Sequence, residues 1–439
     1  MNATVPVDAA PIVPEVEKAV PRQAWLLTVF LMVCFTFAYL DKQVVSILVE
    51  PLKADLGLSD VEIGLLQGFA FSACHALMGV PLAILLDRGD RVRITSWCIA
   101  IWSVATMSCA LAGAFASLLA SRALTAMGEA GLTPAALSLI RDRFPRQLMS
   151  RATALFMVGP YIGMGVALLG GGPLLVWLAT RDLGGIAPWR MVFVIVGAPG
   201  LILAAVMWLC VHEPRRARLA VSSVRPKVEP LRKTIAGRRG FFALMFLAST
   251  MACVPMYAQM AWMPTFLIRV MGLSPGAAGA LIGPLYIVAG IGGATGAAVL
   301  TSGARDPLRR IIALLAAATG SLIVTASLAP FAGGVIPILS LFALSIAASS
   351  MIIALLPTPI QLAAPSDAVA RMMVILNIIL ALGAAGIGPL AVGIFTDRVF
   401  ADPMALGMSI AITCGSSSIA GLALFLAAGA RARRFAATA

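Results

Sequence analysis

Five ionisable side chains lie inside long apolar stretches of the sequence and are the first candidates for chemistry. They are Asp41, Lys42, His75, Arg122 and Glu129. A charged side chain at the centre of a bilayer costs at least about 2.5–3.5 kcal/mol on insertion scales, so such residues usually pair with one another or carry out a function. A carboxyl group whose distance from a guanidinium changes can bind and release a proton. These residue types therefore indicate proton binding linked to the making and breaking of ion pairs.

The spacing of three of these groups brings them near one another. Arg122 and Glu129 are seven residues apart, so two helical turns place them on one face of a helix. At about 1.5 Å per residue, Asp41 lies ~24 Å along its helix, and Arg122 lies about 10 Å into an antiparallel helix from the other membrane face, at a similar depth. We predict that Asp41, Arg122 and Glu129 couple protons to a conformational change. The alternative is a static buried ion pair that fixes helix packing.

The second half of the sequence carries only neutral polar groups well inside its apolar stretches, among methionine and aromatic residues. A cavity between the halves would offer charge on one wall and adaptable apolar surface on the other, which suits an amphipathic solute. Alternatively, Lys42 snorkels or pairs locally, His75 is a structural residue, and the second-half side chains face lipid or neighbouring helices. The predicted lining of this substrate cavity is Lys42, His75, Tyr257, Gln259, Met260, Trp262, Tyr286, Gln361 and Asn377.

The composition identifies the elements that must hold these residues. Hydrophobic residues make up 60% of the 439 residues and charged residues only 12%, whereas a soluble chain carries about 25% charged residues. A bilayer core needs about 20 apolar residues per helix, and only helices or closed barrels satisfy the backbone there. We predict an all-α membrane protein with twelve transmembrane helices in two pseudo-symmetric six-helix bundles. The predicted spans are 24–49, 62–86, 94–115, 117–140, 152–179, 190–211, 241–268, 276–301, 308–328, 335–362, 372–396 and 404–428.

An internal repeat supports the division into two bundles. Gly57-Leu58-Ser59 recurs as Gly272-Leu273-Ser274, and Gly172-Pro173 recurs as Gly388-Pro389. Parallel repeats of this kind build carriers that rock about a central site; chance recurrence in a glycine-rich chain is the alternative. The predicted domains are a cytoplasmic tail at 1–23, a bundle at 24–211, a basic linker at 212–240, a second bundle at 241–430 and a tail at 431–439.

Membrane topology accounts for the net charge of +13. Most basic residues fall in alternate connections, which the positive-inside rule assigns to the cytoplasm. We therefore expect a multi-pass protein of the inner (cytoplasmic) membrane, with both termini in the cytoplasm and no nucleic-acid partner. The basic residues predicted on the other side of the membrane from the cytoplasm are Lys53, Arg181, Arg190, Arg269 and Arg398.

The seven cysteines form no C-x-x-C pair, so we expect no metal, disulfide or cofactor. We also expect a monomer.

Two further motifs stand in the first half. Asp87, Arg88 and Arg91 lie in or beside a short loop of mixed charge after the second predicted helix, where ion pairs could form a cytoplasmic gate. The alternative is a solvated loop that serves only as a topology signal. Gly159-Pro160-Tyr161-Ile162-Gly163 lies in the fifth predicted helix. Its glycines allow close helix approach and its proline is a point of bending, so we predict a helix-packing motif.

These motifs resemble those of the major facilitator superfamily. Its signature after the second helix, G-x-x-x-D-R-x-G-R-R/K, is matched by Asp87, Arg88 and Arg91, while Ala83 replaces the leading glycine. Arg122 matches the arginine of the fourth-helix motif of proton-coupled members. The segment from Gly159 to Gly163 is similar to the G-P-x-x-G antiporter motif. The resemblance implies the major facilitator fold and alternating access.

Within the superfamily the chain resembles the spinster-like branch. The resemblance rests on Tyr39-Leu40-Asp41-Lys42-Gln43, where the family usually has Y-L-D-R, on Gly64-Leu65-Leu66-Gln67-Gly68 and on Gly128-Glu129-Ala130. Lys42 for arginine is a departure that leaves the role of this position open, and Ala126 for glycine is another. The resemblance implies a proton-coupling and substrate network of Asp41, Arg122 and Glu129. By analogy with eukaryotic members, it suggests substrates of the sphingosine-1-phosphate and lysophospholipid type.

The leading functional hypothesis is a proton-coupled secondary transporter, with antiport as one form, for an amphipathic or lipid-like solute. A small-molecule drug exporter or a uniporter without proton coupling is the alternative within transport. An enzyme is not expected, because the sequence has no G-x-x-x-x-G-K-[ST] or H-E-x-x-H motif and only two histidines. A channel is disfavoured, because two similar halves favour a rocking carrier over a continuous pore.

Overall fold

Each long apolar stretch of the sequence folds into a helix, which satisfies its own backbone hydrogen bonds in lipid. The computed structural model describes residues 21–213, 236–303, 306–365 and 368–436. Those residues contain twelve helices long and apolar enough to cross a membrane, which confirms the predicted all-α, twelve-span class. In chain order they are α1 (Arg22–Ile47), α2 (Asp60–Arg88), α3 (Arg91–Leu111), α4 (Phe115–Arg141), α5 (Gln147–Ala179), α6 (Pro188–Cys210), α7 (Arg239–Arg269), α8 (Pro275–Thr301), α9 (Pro307–Phe331), α10 (Val335–Ala363), α11 (Val369–Phe400) and α12 (Pro403–Arg433).

The observed helix bounds lie within a few residues of the predicted spans. The end of α11 extends past residue 396 because the helix continues through a wide π-helical turn at Phe395–Phe400, and a second wide turn occupies Leu380–Gly386. Such turns often mark functional positions in helices. Most of the predicted linker at 212–240, and nearly all of the predicted tail at 1–23, lie outside the described residues. The predicted domain bounds therefore stay predictions.

Twelve successive crossings place the start of α1 and the end of α12 at the same face of the membrane, called here the terminal face. The other face is called the opposite face. A short helix, Val49–Leu56, follows α1 at the opposite face. We call α1 to α6 the first half and α7 to α12 the second half.

The repeated Gly-Leu-Ser segments have the same local structure in both halves. Gly57 and Gly272 adopt φ of +66° and +70°, a left-handed conformation that ends a helix and that glycine adopts without strain. Two residues later a serine caps the next helix: the hydroxyls of Ser59 and Ser274 accept hydrogen bonds from backbone N–H groups at 3.2 Å. The sequence repeat thus corresponds to an equivalent turn before α2 and before α8.

The two halves pack through two equivalent helix pairs, α2 with α11 and α5 with α8. A Cβ atom added at Gly64 of α2 would lie 2.6 Å from the carbonyl oxygen of Pro389 in α11. A Cβ atom added at Gly279 of α8 would lie 2.0 Å from the carbonyl oxygen of Leu168 in α5. Gly64 and Gly279 each lie seven residues after the first glycine of the repeated Gly-Leu-Ser segment, so both seams between the halves rely on backbone-to-backbone approach at an equivalent position.

The predicted packing motif in α5 contacts α1 inside the first half. An added Cβ would lie 2.8 Å from the Met32 carbonyl oxygen at Gly159 and 2.3 Å from the Thr36 carbonyl oxygen at Gly163. The Thr36 hydroxyl also donates a 3.3 Å hydrogen bond to the Gly159 carbonyl, and Pro160 stands in the first turn of the helical segment that begins at Gly159. These contacts hold α1, which carries Asp41, firmly against α5.

Candidate functional site

The centre of the site is a buried ion pair between α1 and α4. Arg122 Nη1 lies 3.2 Å from both carboxylate oxygens of Asp41. Only 3% of Asp41 and 2% of Arg122 is exposed. The guanidinium carbon of Arg122 lies 4.9 Å from the centre of the Phe71 ring, so the aromatic face covers the cation. Burial of this kind makes the pair costly to break unless another charge or a proton replaces the lost partner.

Glu129 joins this pair as a second buried carboxyl group. It is 8% exposed, its carboxyl lies within hydrogen-bonding range of Asp41, and it faces both Arg122 and Lys42. One of its oxygens has no hydrogen-bond partner among the described residues. Two ionised carboxylates can only accept, so a hydrogen bond between them requires one proton. The arrangement can therefore hold a shared proton between Asp41 and Glu129.

Lys42 occupies a ring of aromatic side chains that draws on both halves. Its Nζ lies 5.8 Å from the centre of the Tyr39 ring, 5.1 Å from that of Phe71 and 5.7 Å from that of Tyr257. Tyr257 belongs to α7, so this contact crosses from the first half to the second. Aromatic faces attract a cation without neutralising it, which leaves the charge of Lys42 available to Glu129 or to an anionic ligand.

His75 and Phe71 lie one turn apart on α2 and complete this side of the site. Their rings are nearly parallel, with centres 6.4 Å apart. The Nδ1 atom of His75 is buried without a hydrogen-bond partner among the described residues. The sequence analysis did not predict Phe71, whose ring lies beside both Lys42 and Arg122. The available signal was its position, four residues before the only histidine in an apolar stretch.

The second-half residues predicted to line the cavity are placed in different surroundings. Gln259 and Tyr286 line a chamber between the halves. Met260 is 6% exposed, and its carbonyl accepts a 3.0 Å hydrogen bond from Gln43 of α1. Trp262 is fully buried and donates a 2.8 Å hydrogen bond to the Pro389 carbonyl, so it packs between α7 and α11.

The remaining two residues of that prediction lie elsewhere. Gln361 and Asn377 have exposed side chains on α10 and α11. In this conformation the structure therefore brings Lys42, His75 and Tyr257 together, and it places Gln259 and Tyr286 in the neighbouring chamber. Gln361 and Asn377 are exposed, and this does not place them beside Lys42 or in the chamber.

A second cluster of charges joins the halves at the opposite face, and the sequence reasoning missed it. Arg269, at the end of α7, donates to Glu50 at 2.8 Å and to both oxygens of Asp60 at 2.6 and 2.9 Å. Lys53 also contacts Asp60. Asp60 is fully buried and the Arg269 side chain is 7% exposed. We call Glu50, Asp60 and Arg269 the opposite-face latch, because the first two belong to the first half and Arg269 to the second.

A signal for this latch was present in the repeat. Lys53 precedes Gly57 by four residues, and Arg269 precedes Gly272 by three, so each half carries a basic residue shortly before the repeated Gly-Leu-Ser turn. Asp60 follows the capping Ser59 at the start of α2, where a helix N-terminus favours a carboxylate. The topology count used Lys53 and Arg269 only as charges on one side of the membrane.

At the terminal face, the motif predicted as a gate is built around Arg91. Its guanidinium lies 2.6 Å from Asp142 and donates to Glu213 at 2.8 Å and to Ser138 at 2.7 Å. Arg91 is 1% exposed, and Asp87 and Arg88 lie exposed at the end of α2. All three partners of Arg91 belong to the first half, so these bonds tie α3 to α4 and to the end of α6.

Twelve spans in two similar halves, with buried ionisable groups beside the seam between them, define a membrane carrier. A family model described as Major Facilitator Superfamily matches residues 31–389, and the chain belongs to that family. Proteins of this family and fold are typically transporters and not enzymes.

Two curated relatives, an efflux pump and a spinster homologue, each match more than half of this chain. An MFS-type efflux pump of Mycolicibacterium smegmatis is 33% identical over 267 residues, which cover 59% of this chain and 58% of the pump. Protein spinster homolog 1 of Rattus norvegicus is 26% identical over 260 residues, covering 57% of this chain and 47% of that protein. The chain thus spans about half the length of these curated relatives.

A solved structure matches over nearly the whole chain. The crystal structure of a bacterial homologue of the human lysosomal transporter Spinster, in an inward-facing and unoccupied conformation, superimposes with a TM-score of 0.73 at 26% identity. The match covers 94% of this chain and 96% of that one. The predicted resemblance to the major facilitator superfamily and its spinster-like branch is therefore confirmed.

Proposed function

We propose that this protein is a proton-coupled secondary transporter that moves an amphipathic or lipid-like organic solute by alternating access. The observation that carries this proposal is the approach of two buried carboxyl groups, Asp41 and Glu129, beside Arg122 and Lys42. With both carboxyls ionised the four charges balance. Adding one proton leaves a net positive charge in a low-dielectric site, which favours either a different arrangement or the arrival of an anion.

The coupling follows from the geometry of the Asp41–Arg122 pair. When Asp41 is protonated, Arg122 Nη1 loses a charged acceptor that lies 3.2 Å away. The guanidinium is then attracted toward the carboxylate of Glu129, which faces it. Since α1 carries both Asp41 and Lys42, a shift of α1 changes the ring of aromatic residues that includes Tyr257 of the second half. Protonation in the first half thereby acts on the contact with the second half.

The latch and the distribution of basic residues support an inward-facing conformation. We place both termini in the cytoplasm of a cell with an inner membrane, because most basic residues lie on the terminal side. Because the latch closes the opposite face, we infer that solute reaches the site from the terminal face, which we place in the cytoplasm. The similarity to an inward-facing spinster homologue agrees with this assignment. We expect a monomer, because the buried cluster lies within a single chain.

Uptake into proteoliposomes under an imposed pH gradient tests the proposal. Glu129→Gln and Asp41→Asn remove the two proton-binding groups, and both should abolish gradient-driven accumulation while leaving slow exchange of solute. Arg122→Ala should do the same, because it leaves two buried carboxyl groups without their cation. Asp402→Asn is the matched control, since it replaces an exposed carboxyl that caps a turn by accepting from Met404 N–H at 2.8 Å. Gradient-driven flux of wild-type size in the Glu129 and Arg122 variants would rule out proton coupling through this cluster.

A drug exporter or uniporter is the second candidate, because the relative from Mycolicibacterium smegmatis is described as an efflux pump. The two functions differ in their dependence on protons. A uniporter for small hydrophobic molecules should equilibrate its solute at any pH gradient, and Asp41→Asn should leave its flux unchanged. Uptake of cationic dyes by everted vesicles, whose outer surface is the cytoplasmic face, separates the two when it is measured with and without a pH gradient.

A further inference from the structure

A small chamber lies between α5, α7, α8 and α10, close to the charge cluster but different from it in chemistry. Tyr161 and Met164 form its first-half wall, and Gln259, Tyr286, Phe342 and Ser349 form most of its second-half wall. Its cavity volume is about 10 Å³, which is room for one polar group about the size of a water molecule. The described residues that line it are all uncharged. The chamber therefore offers hydrogen bonds and apolar surface, but no counter-charge.

Two buried polar groups face this chamber without partners. Gln259 is 2% exposed, and its carbonyl oxygen accepts a 2.5 Å hydrogen bond from the Ser345 hydroxyl. That bond orients the amide, and the Nε2 atom has no acceptor among the described residues. Ser349 is 3% exposed, follows Ser345 by one turn of α10, and its hydroxyl likewise has no partner there. Ser345 and Ser349 are four residues apart on α10, so they lie about 5–6 Å from each other on one face of that helix. Because Ser345 holds the Gln259 amide, the Gln259 amide and the Ser349 hydroxyl face the same chamber.

We propose that this chamber binds an uncharged hydrogen-bonding group of the transported solute, an amide or a hydroxyl, through Gln259 and Ser349. The Gln259 amide donates to the oxygen of that group, and the Ser349 oxygen accepts from its N–H or O–H. Buried polar atoms normally find a partner, and a passing solute supplies one that the protein lacks. This inference rests on the carrier function proposed above and assigns part of the substrate's structure.

The chemistry of the lining excludes a charged group from this position. An ionised carboxylate, phosphate or ammonium would lose its hydration in a chamber of tyrosine, phenylalanine and methionine without gaining an opposite charge. A charge belongs instead near Lys42, whose Nζ lies 5.7 Å from the centre of the Tyr257 ring where α1 meets α7. The solute so described carries an anionic group at Lys42 and an uncharged amide or hydroxyl beside Gln259 and Ser349.

Equilibrium binding of two matched amphiphiles tests this assignment. N-lauroyltaurine and pentadecanesulfonate are sulfonates of equal chain length, and only the first carries an amide in its chain. Calorimetric titration of the full-length protein in nanodiscs should show about tenfold tighter binding of N-lauroyltaurine, the value of one net hydrogen bond in a buried site. Ser349→Ala and Gln259→Leu should each remove this preference, so that the two sulfonates bind with equal affinity.

A matched control keeps the result independent of folding. Ser249→Ala removes a buried hydroxyl of α7 whose one hydrogen bond among the described residues is to the Met245 carbonyl of its own helix, at 2.6 Å, so this variant should retain the preference. An equal affinity of the wild-type protein for both sulfonates, or a preference that survives in Ser349→Ala and Gln259→Leu, would overturn the inference; the chamber then holds only water. Because the titration uses no pH gradient, failure of proton coupling does not affect it. Absence of binding by either sulfonate would reject the amphiphile substrate as well.

Discussion

Removal of the Arg269 charge should open the opposite face of the protein. Arg269 is the second-half member of the opposite-face latch, and its guanidinium contacts Glu50 and both oxygens of Asp60. All of these carboxylate contacts cross between the halves. Arg269→Gln keeps much of the side chain's volume but removes the charge and the paired donors, so the conformation held closed by this latch loses stability.

The size of the effect follows from burial. Truncating one member of a buried, hydrogen-bonded charge pair costs about 2–5 kcal/mol across an interface. The contact with Asp60 is in this class, because Asp60 is fully buried and the Arg269 side chain is 7% exposed. The contact with Glu50 adds little, because that carboxylate is 37% exposed. Taking the low end, about 2 kcal/mol, the equilibrium should shift roughly 30-fold toward the open conformation.

Distances between spin labels across the opposite face measure this shift. Leu111 at the end of α3 and Ile336 at the start of α10 are 85% and 78% exposed and belong to different halves. Labels at these positions require Cys74 and Cys210 to be replaced by serine, because the other five cysteines are buried. Electron–electron double resonance in nanodiscs should show a short distance in the parent protein and a longer population in Arg269→Gln.

Lys53→Gln is the control that isolates the contact between the halves. Lys53 binds the same carboxylate, Asp60, but both residues belong to the first half. Its loss should leave the short distance unchanged. A distance distribution in Arg269→Gln that matches the parent protein, or an equal opening in Lys53→Gln, would refute the idea that the latch holds this face closed.

Three further predictions concern other contacts. Lys42→Arg should retain binding of pentadecanesulfonate, whereas Lys42→Met should weaken it about tenfold in calorimetric titration, because a partly buried charge pair contributes on that order; equal binding by both variants would contradict this. Gly279→Val should abolish transport into proteoliposomes, since even a Cβ would lie 2.0 Å from the Leu168 carbonyl oxygen, while Gly292→Val, at a position with open space, should transport normally. Arg91→Gln should lower the thermal unfolding temperature by several degrees, because it leaves Glu213 without the cation 2.5 Å away, yet the distance between the opposite-face labels should not change.

The sequence by itself determined the membrane class, the number of helices and the repeat. A helix that crosses lipid must be about 20 apolar residues long, so helix number and length can be read from hydropathy alone. The Gly-Leu-Ser repeat could be read as well, because a left-handed glycine and a capping serine have strictly local causes. The depth argument for Asp41 and Arg122 was also local, since it needed only the rise per residue of two antiparallel helices.

Only the tertiary structure decided which groups meet across the molecule. Helical periodicity assigns a residue to a face, but it does not name the helix that packs against that face. The contact of Lys42 with Tyr257, the latch of Arg269 with Asp60, and the burial of Trp262 against α11 all join residues that are more than a hundred positions apart. These contacts depend on how two six-helix halves fit together, and that fit is set by glycine backbones meeting at α2–α11 and α5–α8.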